Sequence, residues 1–395
     1  MKKATREQTK THNTRLILKT IYENGRLSRA DVARMTRLTR PTVSSIVGEL
    51  MANGLVAEVG QGQSQGGKPP IWLEVVADAY HIIGLDLGSS EFRGGIFDLR
   101  GNKHYSVALP TDGQTGEAAL NLVYELVDLL MAQAKRPLLG IGIGTPGITS
   151  TQEGIVFEAV NLGWADLPLR RLLQERYELP VHVANDSQAA ALGEFSFGRE
   201  EAVENLVVLK AGAGISAGIV LNGRVYAGDH DSPGEIGHVT AVPDGKLCTC
   251  GRYGCLETVA SSRAIIEGAT AIVQAHPDSV LAQLAAANGK ITTDLVLQAF
   301  TAGDPHVAAL VDEVGRYLGT AVSHLISILN IQHLIIGGRL ARFGERLVTA
   351  VRSQVNRAVL TRIAQTTQIE LSALENDLVV LGGAALVLSR ELGVV

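Results

Sequence analysis

The chain has 395 residues, 46% hydrophobic and 19% charged, which supplies enough apolar material for the cores of two or three soluble domains. Apolar runs such as "NLVVL" and "HLIIGG" fall far short of the roughly 18 residues of a membrane-spanning helix, and the basic start lacks the apolar stretch of a signal peptide, so no membrane partner and a cytoplasmic location are expected. The net charge of −5 is divided unequally: residues 1–70 hold 12 Lys/Arg against 5 Asp/Glu and the remainder 23 against 35, a basic head on an acidic body, which points the head toward a polyanion.

After a polar, basic lead-in, "TRLILKTIYENG" places Leu16, Ile17, Thr20 and Ile21 on one helical face and stops at Asn24-Gly25. "LSRADVARMT" offers Ser28 as a cap with Asp31 three residues on, and Val32 and Met35 facing inward. In "LTRPTVSSIVGELMANG", Thr39 caps a third helix, Pro41 sits in its first turn, and Val43, Ile46, Val47 and Leu50 form a buried stripe. Three short helices in this order predict a helix-turn-helix whose third helix presents Arg40, Thr42, Ser44 and Ser45 to a DNA major groove. Arg29, Arg34, Arg37 and Thr39 lie close enough in sequence to join the contact, and phosphate contacts give affinity while the third helix carries base readout. "GLVAEVG" and "PIWLEVV" then read as strands flanking "QGQSQGGKPP", a wing whose charge is Lys68. The winged head is expected over residues 1–75 and the body over 76–395.

The body opens with "HIIGLDLGSSEFRGGIFDLRGN", read as a strand, an Asp-Leu-Gly turn, a second strand and a polar Arg-Gly-Asn turn. The pattern recurs in "NLVVLKAGAGISAGIVLNGRVYAG", which predicts a duplicated, two-lobed α/β architecture with a cleft between the lobes. Each glycine turn can offer backbone N–H groups to phosphate, or be a tight hairpin turn and nothing more. Between the repeats, the strand "VHVA" delivers Asn185 and Asp186 to its C-terminal end, where ligands bind in open α/β sheets; the same pair also suits a helix cap.

All three cysteines, Cys248, Cys250 and Cys255, fall within "CTCGRYGC", and His238 lies ten residues upstream of the first. Three thiolates and an imidazole make a closed tetrahedral set, so the expected cofactor is structural zinc, with Gly251 and Gly254 letting the backbone fold round the ion. Glu235 and Glu257 bracket this loop; carboxylates beside a metal-anchored histidine accept sugar hydroxyls well, although two glutamates also serve as plain surface charge.

"GTPG", "NLGW", "ANDSQAAALGE", "GEIGH", "CTCGRYGCLE" and "LIIGG" occur in this order, and together they resemble the ROK family of repressors and sugar kinases, most of all the xylose-repressor and N-acetylglucosamine-repressor type of regulator. The resemblance implies a winged head followed by a two-lobed actin/hexokinase-like (ribonuclease H-like) ATPase fold, assembled as a homodimer or homotetramer. By similarity Asn161, Asn185, Asp186, Glu235, His238 and Glu257 line a sugar site, with His238 serving both zinc and sugar, and Asp186 matches the general base of kinase members. Kinase members usually read Asp-Xaa-Gly-Gly-Thr in the first loop, where this chain has Asp86-Leu87-Gly88-Ser89-Ser90, and Gly-Thr-Gly-Xaa-Gly in the second, where it has Gly212-Ala213-Gly214-Ile215-Ser216. Side chains at Ser89 and Ser216 obstruct the approach of phosphate to the backbone and Ala213 removes a hydroxyl, so weak nucleotide binding and little turnover are expected, Asp186 being a vestige. The expected function is a sugar-responsive repressor that binds operator DNA, with a sugar kinase as the alternative.

Overall fold

The computed structural model describes residues 5–62, 69–199, 203–229 and 231–395. Helix α1 (Arg6–Asn24) begins where Thr5 and Gln8 form a reciprocal capping box, so the polar lead-in is helical and α1 starts eight residues before the apolar segment. It stops at Gly25, whose φ of 66° suits glycine. A two-residue strand β1 (Leu27–Ser28) leads into α2 (Arg29–Thr36), which has the Ser28/Asp31 capping box, and α3 (Arg40–Ala52) is capped by Thr39 with Pro41 in its first turn. The stripe Val43, Ile46, Val47 and Leu50 is buried, as is Val32; Met35 is 46% exposed, since it lies about 60° round α2 from Val32 and the helix is only two turns long. Strands β2 (Val56–Gln61) and β3 (Ile71–Val75) form an antiparallel hairpin, with β1 on the other edge of β3. The tip of the wing, including Lys68, lies outside the described residues.

A turn at Ala77–Ala79 leads into β4 (His81–Leu87), β5 (Glu91–Phe97) and β6 (Lys103–Pro110), an antiparallel meander; α4 (Gly116–Met131) follows, and β7 (Leu138–Thr145) returns parallel to β4. Asp86 and Leu87 belong to β4, so the expected Asp-Leu-Gly turn is displaced to residues 88–90. A short strand β8 (Ile148–Ser150), the hairpin β9 (Ile155–Ala159) and β10 (Trp164–Leu167), helix α5 (Leu169–Tyr177) and β11 (Val181–Asn185) follow, and the sheet has the order β11-β7-β4-β5-β6.

Helix α6 (Asp186–Phe197) precedes a second meander of β12 (Leu206–Ala211), β13 (Ile215–Leu221) and β14 (Arg224–Val225). Helices α7 (Glu257–Ala260), α8 (Ser262–Ala275), α9 (Val280–Asn288), α10 (Thr293–Thr301) and α11 (Pro305–Leu329) lead to β15 (His333–Gly337), parallel to β12. Helices α12 (Gly344–Ala358) and α13 (Thr361–Thr366), strand β16 (Gln368–Leu371) and helix α14 (Leu378–Val387) follow, with a last helical turn at Leu388–Leu392. This sheet, β14-β13-β12-β15-β16, repeats the strand order of the first, so the duplication read from the two glycine hairpins is present in the topology of both sheets. Two compact units result: residues 1–145, 151–183 and 383–395, which include the winged head, and residues 146–150 and 184–382. Among the described residues no helix is long and apolar enough to cross a membrane.

The head is fastened to the first unit by the Arg-Gly-Asn turn after β5. Tyr22 of α1 donates its hydroxyl to the carbonyl of Leu99 at 2.8 Å, and Arg100 donates to the carbonyl of Tyr22 at 2.6 Å with its guanidinium 4.1 Å above the Tyr22 ring. Burial pushes the Tyr22 phenol up to about 12, so it remains a donor at neutral pH. Arg15 of α1 donates to the carbonyl of Arg390 near the chain end at 2.9 Å.

Helix α6 is small-sided because it is enclosed. A Cβ on Gly218 of β13 would stand 1.9 Å from the Ser187 carbonyl oxygen, and one on Gly382 of α14 would stand 1.9 Å from that of Ala189. Ala189, Ala190 and Ala191 are buried, and so are the polar side chains of Asp186, Ser187, Gln188 and Glu194, so α6 is enclosed on more than one face. Gly218→Ala is expected to push α6 off β13 and destabilise the protein by about 1–3 kcal/mol. Chemical denaturation checks it; an unchanged midpoint would show that the approach is not needed.

Candidate functional site

The residues that could hold a metal ion come from one loop that folds over itself. Cys248 sits in a tight turn: its N–H donates to the Arg252 carbonyl at 2.8 Å, and the Gly251 N–H donates to the Cys248 carbonyl at 3.0 Å. Gly251 has a φ of 82°, and a Cβ on Gly254 would stand 1.8 Å from the Val242 carbonyl oxygen, so both positions require glycine. The turn brings Cys248, Cys250, Cys255 and His238 together, with one donor atom of each within 4.8 Å of the others. Cys248 Sγ is 3.7 Å from His238 Nδ1 and Cys250 Sγ is 3.6 Å from Cys255 Sγ. Donors bound tetrahedrally at the usual zinc distances stand about 3.5–3.8 Å apart, which the two separations match, so the Cys3His set could hold a metal ion. The Arg252 backbone N–H holds the Cys250 thiol below its usual range, whereas burial pushes Cys255 up. Metal uptake must therefore expel a proton from the buried thiol.

His238 uses its two ring nitrogens differently. Nδ1 faces the thiolates, and Nε2 is 3.9 Å from Glu235 Oε2. Desolvation raises the Glu235 carboxyl above the ordinary carboxylate range; the His238 imidazole opposes this, and the charges of Asp186 and Glu257 add to it. Glu257, the first residue of α7, accepts from the Ile215 N–H at 3.3 Å, which fixes it against the second glycine hairpin. Four of the expected site residues, Asp186, Glu235, His238 and Glu257, thus share one electrostatic neighbourhood.

Asn185 caps α6: its Oδ1 accepts from Ser187 N–H at 2.9 Å and from the Ser187 hydroxyl at 2.6 Å, while Nδ2 donates to the Gly147 carbonyl of "GTPG" at 3.0 Å. The capping reading of this residue is realised, and its polar atoms are engaged by protein. Asn161 lies exposed on the turn Val160–Leu162 of the first unit.

Lys210, which the sequence reading missed, is the partner of Asp186. Its Nζ donates to Asp186 Oδ2 at 2.6 Å, with the two side chains 24% and 10% exposed. The signal was available: Lys210 is a lone charge in the apolar strand "LVVLKA", one residue before the chain reaches the glycine turn.

In the head, Arg37, Thr39, Arg40, Ser44 and Ser45 are exposed and Thr42 is half-buried. Thr39 is used as the cap of α3 and its hydroxyl lies 2.8 Å from that of Thr42. Arg29 is ion-paired with Glu58 of β2 at 2.7 Å and Arg34 with Asp31 at 2.7 Å, so Arg40, Ser44 and Ser45 form the outward face of α3 while Arg29 braces the wing.

A family model described as ROK matches residues 82–390, and one described as winged helix-turn-helix DNA-binding matches residues 10–57. The chain belongs to the ROK family. A xylose repressor of Caldicellulosiruptor bescii is 34% identical over 384 residues, covering 96% of each protein. A glucokinase of Halalkalibacterium halodurans is 35% identical over 314 residues, 78% of this chain and 95% of the enzyme. A solved ROK family transcriptional regulator, a homolog of the E. coli MLC protein, matches with a TM-score of 0.84 at 30% identity over 97% of this chain and 96% of that one. The ROK match accounts for the sugar-kinase-like body and the helix-turn-helix match for the winged head.

Cys250→Ser should lose about one equivalent of bound metal and lower the melting temperature, because a closed metal site contributes folding free energy. Elemental analysis and calorimetry test this; unchanged metal content and melting would remove the metal from the account.

Proposed function

We propose that this ROK protein is a sugar-responsive transcriptional regulator, most simply a repressor, in which α3 reads operator DNA and a sugar bound beside Asp186 is the effector. The observation that carries the reading is a winged DNA-binding head, tied through Tyr22 and Arg100 to a body in which the kinase-type carboxylate Asp186 is already ion-paired with Lys210. A general base must accept the proton of a sugar hydroxyl; here one of the two carboxylate oxygens, Oδ2, is engaged by an ammonium group, and the proposed role of Oδ1 is to accept a hydrogen bond from a sugar hydroxyl. Glu235, Glu257 and His238 Nε2 supply further hydroxyl partners, zinc in the Cys3His set holds His238 in place, and Asn185 caps the helix that presents Asp186. Xylose is the first sugar to test and glucose the second, following the xylose repressor and glucokinase relatives. The domains are proposed as 1–75 and 76–395, and the working form as a homodimer or homotetramer, whose paired heads would meet a two-fold operator.

A sugar kinase is the second reading, favoured by Asp186 and by the glucokinase relative. The test is a sugar-dependent ADP-release assay beside a sugar-binding titration. The regulator predicts sugar binding without turnover, and Asp186→Asn weakening binding about tenfold or more; sugar-dependent ADP release abolished by Asp186→Asn would replace the regulator with the kinase.

Arg40→Ala is expected to weaken DNA binding with sugar affinity unchanged, as read by fluorescence anisotropy and calorimetry. Equal losses of both would mean that Arg40 supports the fold and makes no DNA contact. Lys210→Met leaves Asp186 without its partner in a mostly dry site and should destabilise the protein by about 1–3 kcal/mol, below the full value for a buried pair because Lys210 is 24% exposed. A melting temperature equal to that of the unaltered chain would show the pair to be dispensable.

A further inference from the structure

Outside the thiolate loop, a second set of ligand-type side chains converges where the head joins the body: Asp78 in the turn after β3, His81 at the start of β4 and His104 on β6. We propose that Asp78, His81 and His104 form a second metal site, for a divalent transition ion such as Zn²⁺, Ni²⁺ or Cu²⁺, at the joint between the winged head and the first sheet. Asp78 Oδ1 is 3.1 Å from His81 Nε2 and 3.7 Å from His104 Nε2, and all three donor atoms lie within 4.8 Å of one another. Two imidazole nitrogens and a carboxylate oxygen bound tetrahedrally at about 2.0–2.2 Å stand roughly 3.3–3.5 Å apart, between the two observed separations. A donor set of two imidazoles and one carboxylate favours borderline transition ions over calcium or magnesium, which prefer oxygen ligands.

The site is built in advance. His81 is 2% exposed and paired into the sheet, and its ring stacks on that of His104 with centroids 4.6 Å apart. The Nδ1 of His81 is buried without a hydrogen-bond partner, so Nε2 is the nitrogen through which this ring acts. Arg136 donates its Nε to Asp78 Oδ2 at 2.7 Å, leaving Oδ1 directed at the imidazoles, as outer partners of metal ligands do. Its positive charge also opposes a cation, which weakens the affinity of the site. Asp78 and His104 are 42% and 41% exposed, so an ion can enter from solvent, and three protein ligands leave room for water. Because Asp78 belongs to the turn between the wing and β4, an ion here ties that turn to two strands of the first sheet.

The test is equilibrium dialysis of the full chain against Ni²⁺, with metal counted per chain. The unaltered protein should bind one equivalent more than His104→Ala, while His306→Ala, a change remote in sequence and in the other unit, should match the unaltered protein. Ni²⁺ should also raise the melting temperature of the unaltered chain more than that of Asp78→Asn, a variant of the same shape that keeps the turn. Equal nickel content in the unaltered chain and His104→Ala, or an equal nickel-induced melting shift in Asp78→Asn, would overturn the site.

Discussion

The ion pair between Lys210 and Asp186 is the interaction on which the functional reading depends. Asp186 is the first helical residue of α6, and α6 can lie where it does because Gly218 and Gly382 have no side chains. Lys210 stands on β12 one residue before the strand ends, so one 2.6 Å contact links the helix that offers the carboxylate to the strand that enters the second glycine hairpin. Charges this far removed from water must be matched, and the surrounding carboxylates sharpen the need: Asp186 and Glu257 both act on Glu235, and Lys210 supplies Asp186 with its opposite charge.

The same arrangement separates recognition from chemistry. Phosphoryl transfer depends on positioning phosphate and on releasing the acceptor hydroxyl's proton at the right moment. In this chain the first loop carries Ser89 and Ser90, the second carries Ala213 and Ser216, and the carboxylate that would take the proton is bonded to an ammonium group. None of these features interferes with holding sugar hydroxyls, which need fixed acceptors and donors. A sugar-kinase-like body can thus be retained as a receptor when a DNA-binding head gives occupancy a consequence. The head's anchor is short and polar: two hydrogen bonds and a ring contact between Tyr22 and the turn at Leu99 and Arg100, and the bond from Arg15 to the Arg390 carbonyl.

Much of this was legible in the sequence because the signals were local. Capping residues Ser28 and Thr39, the stripe from Val43 to Leu50, and the repeated glycine hairpin each depend on a few consecutive residues, and each appears in the fold. The Cys3His cluster was legible for the same reason: cysteines two and five apart share a loop whatever the surrounding fold. What stayed hidden was long-range. The pairing of Lys210 with Asp186, the gripping of Tyr22 by the Arg-Gly-Asn turn, and the meeting of Asp78 with His104 join residues that only the sheet topology brings together. Local errors had local causes: the lead-in to α1 is polar all along, so its helicity rests on the Thr5 cap and not on an apolar face, and Asp86 reads as a turn residue by type although strand pairing with Arg93 holds it extended.

The central claim is that sugar and DNA occupy one protein with a coupling free energy between them, and such coupling is reciprocal. The most direct measurement is a pair of titrations on the full chain with a duplex selected by the protein from random sequence: DNA affinity with and without saturating xylose or glucose, and sugar affinity with and without DNA. The account predicts that one of these sugars changes DNA affinity and that DNA changes that sugar's affinity by the same factor. Sugar binding that leaves DNA affinity untouched would contradict it.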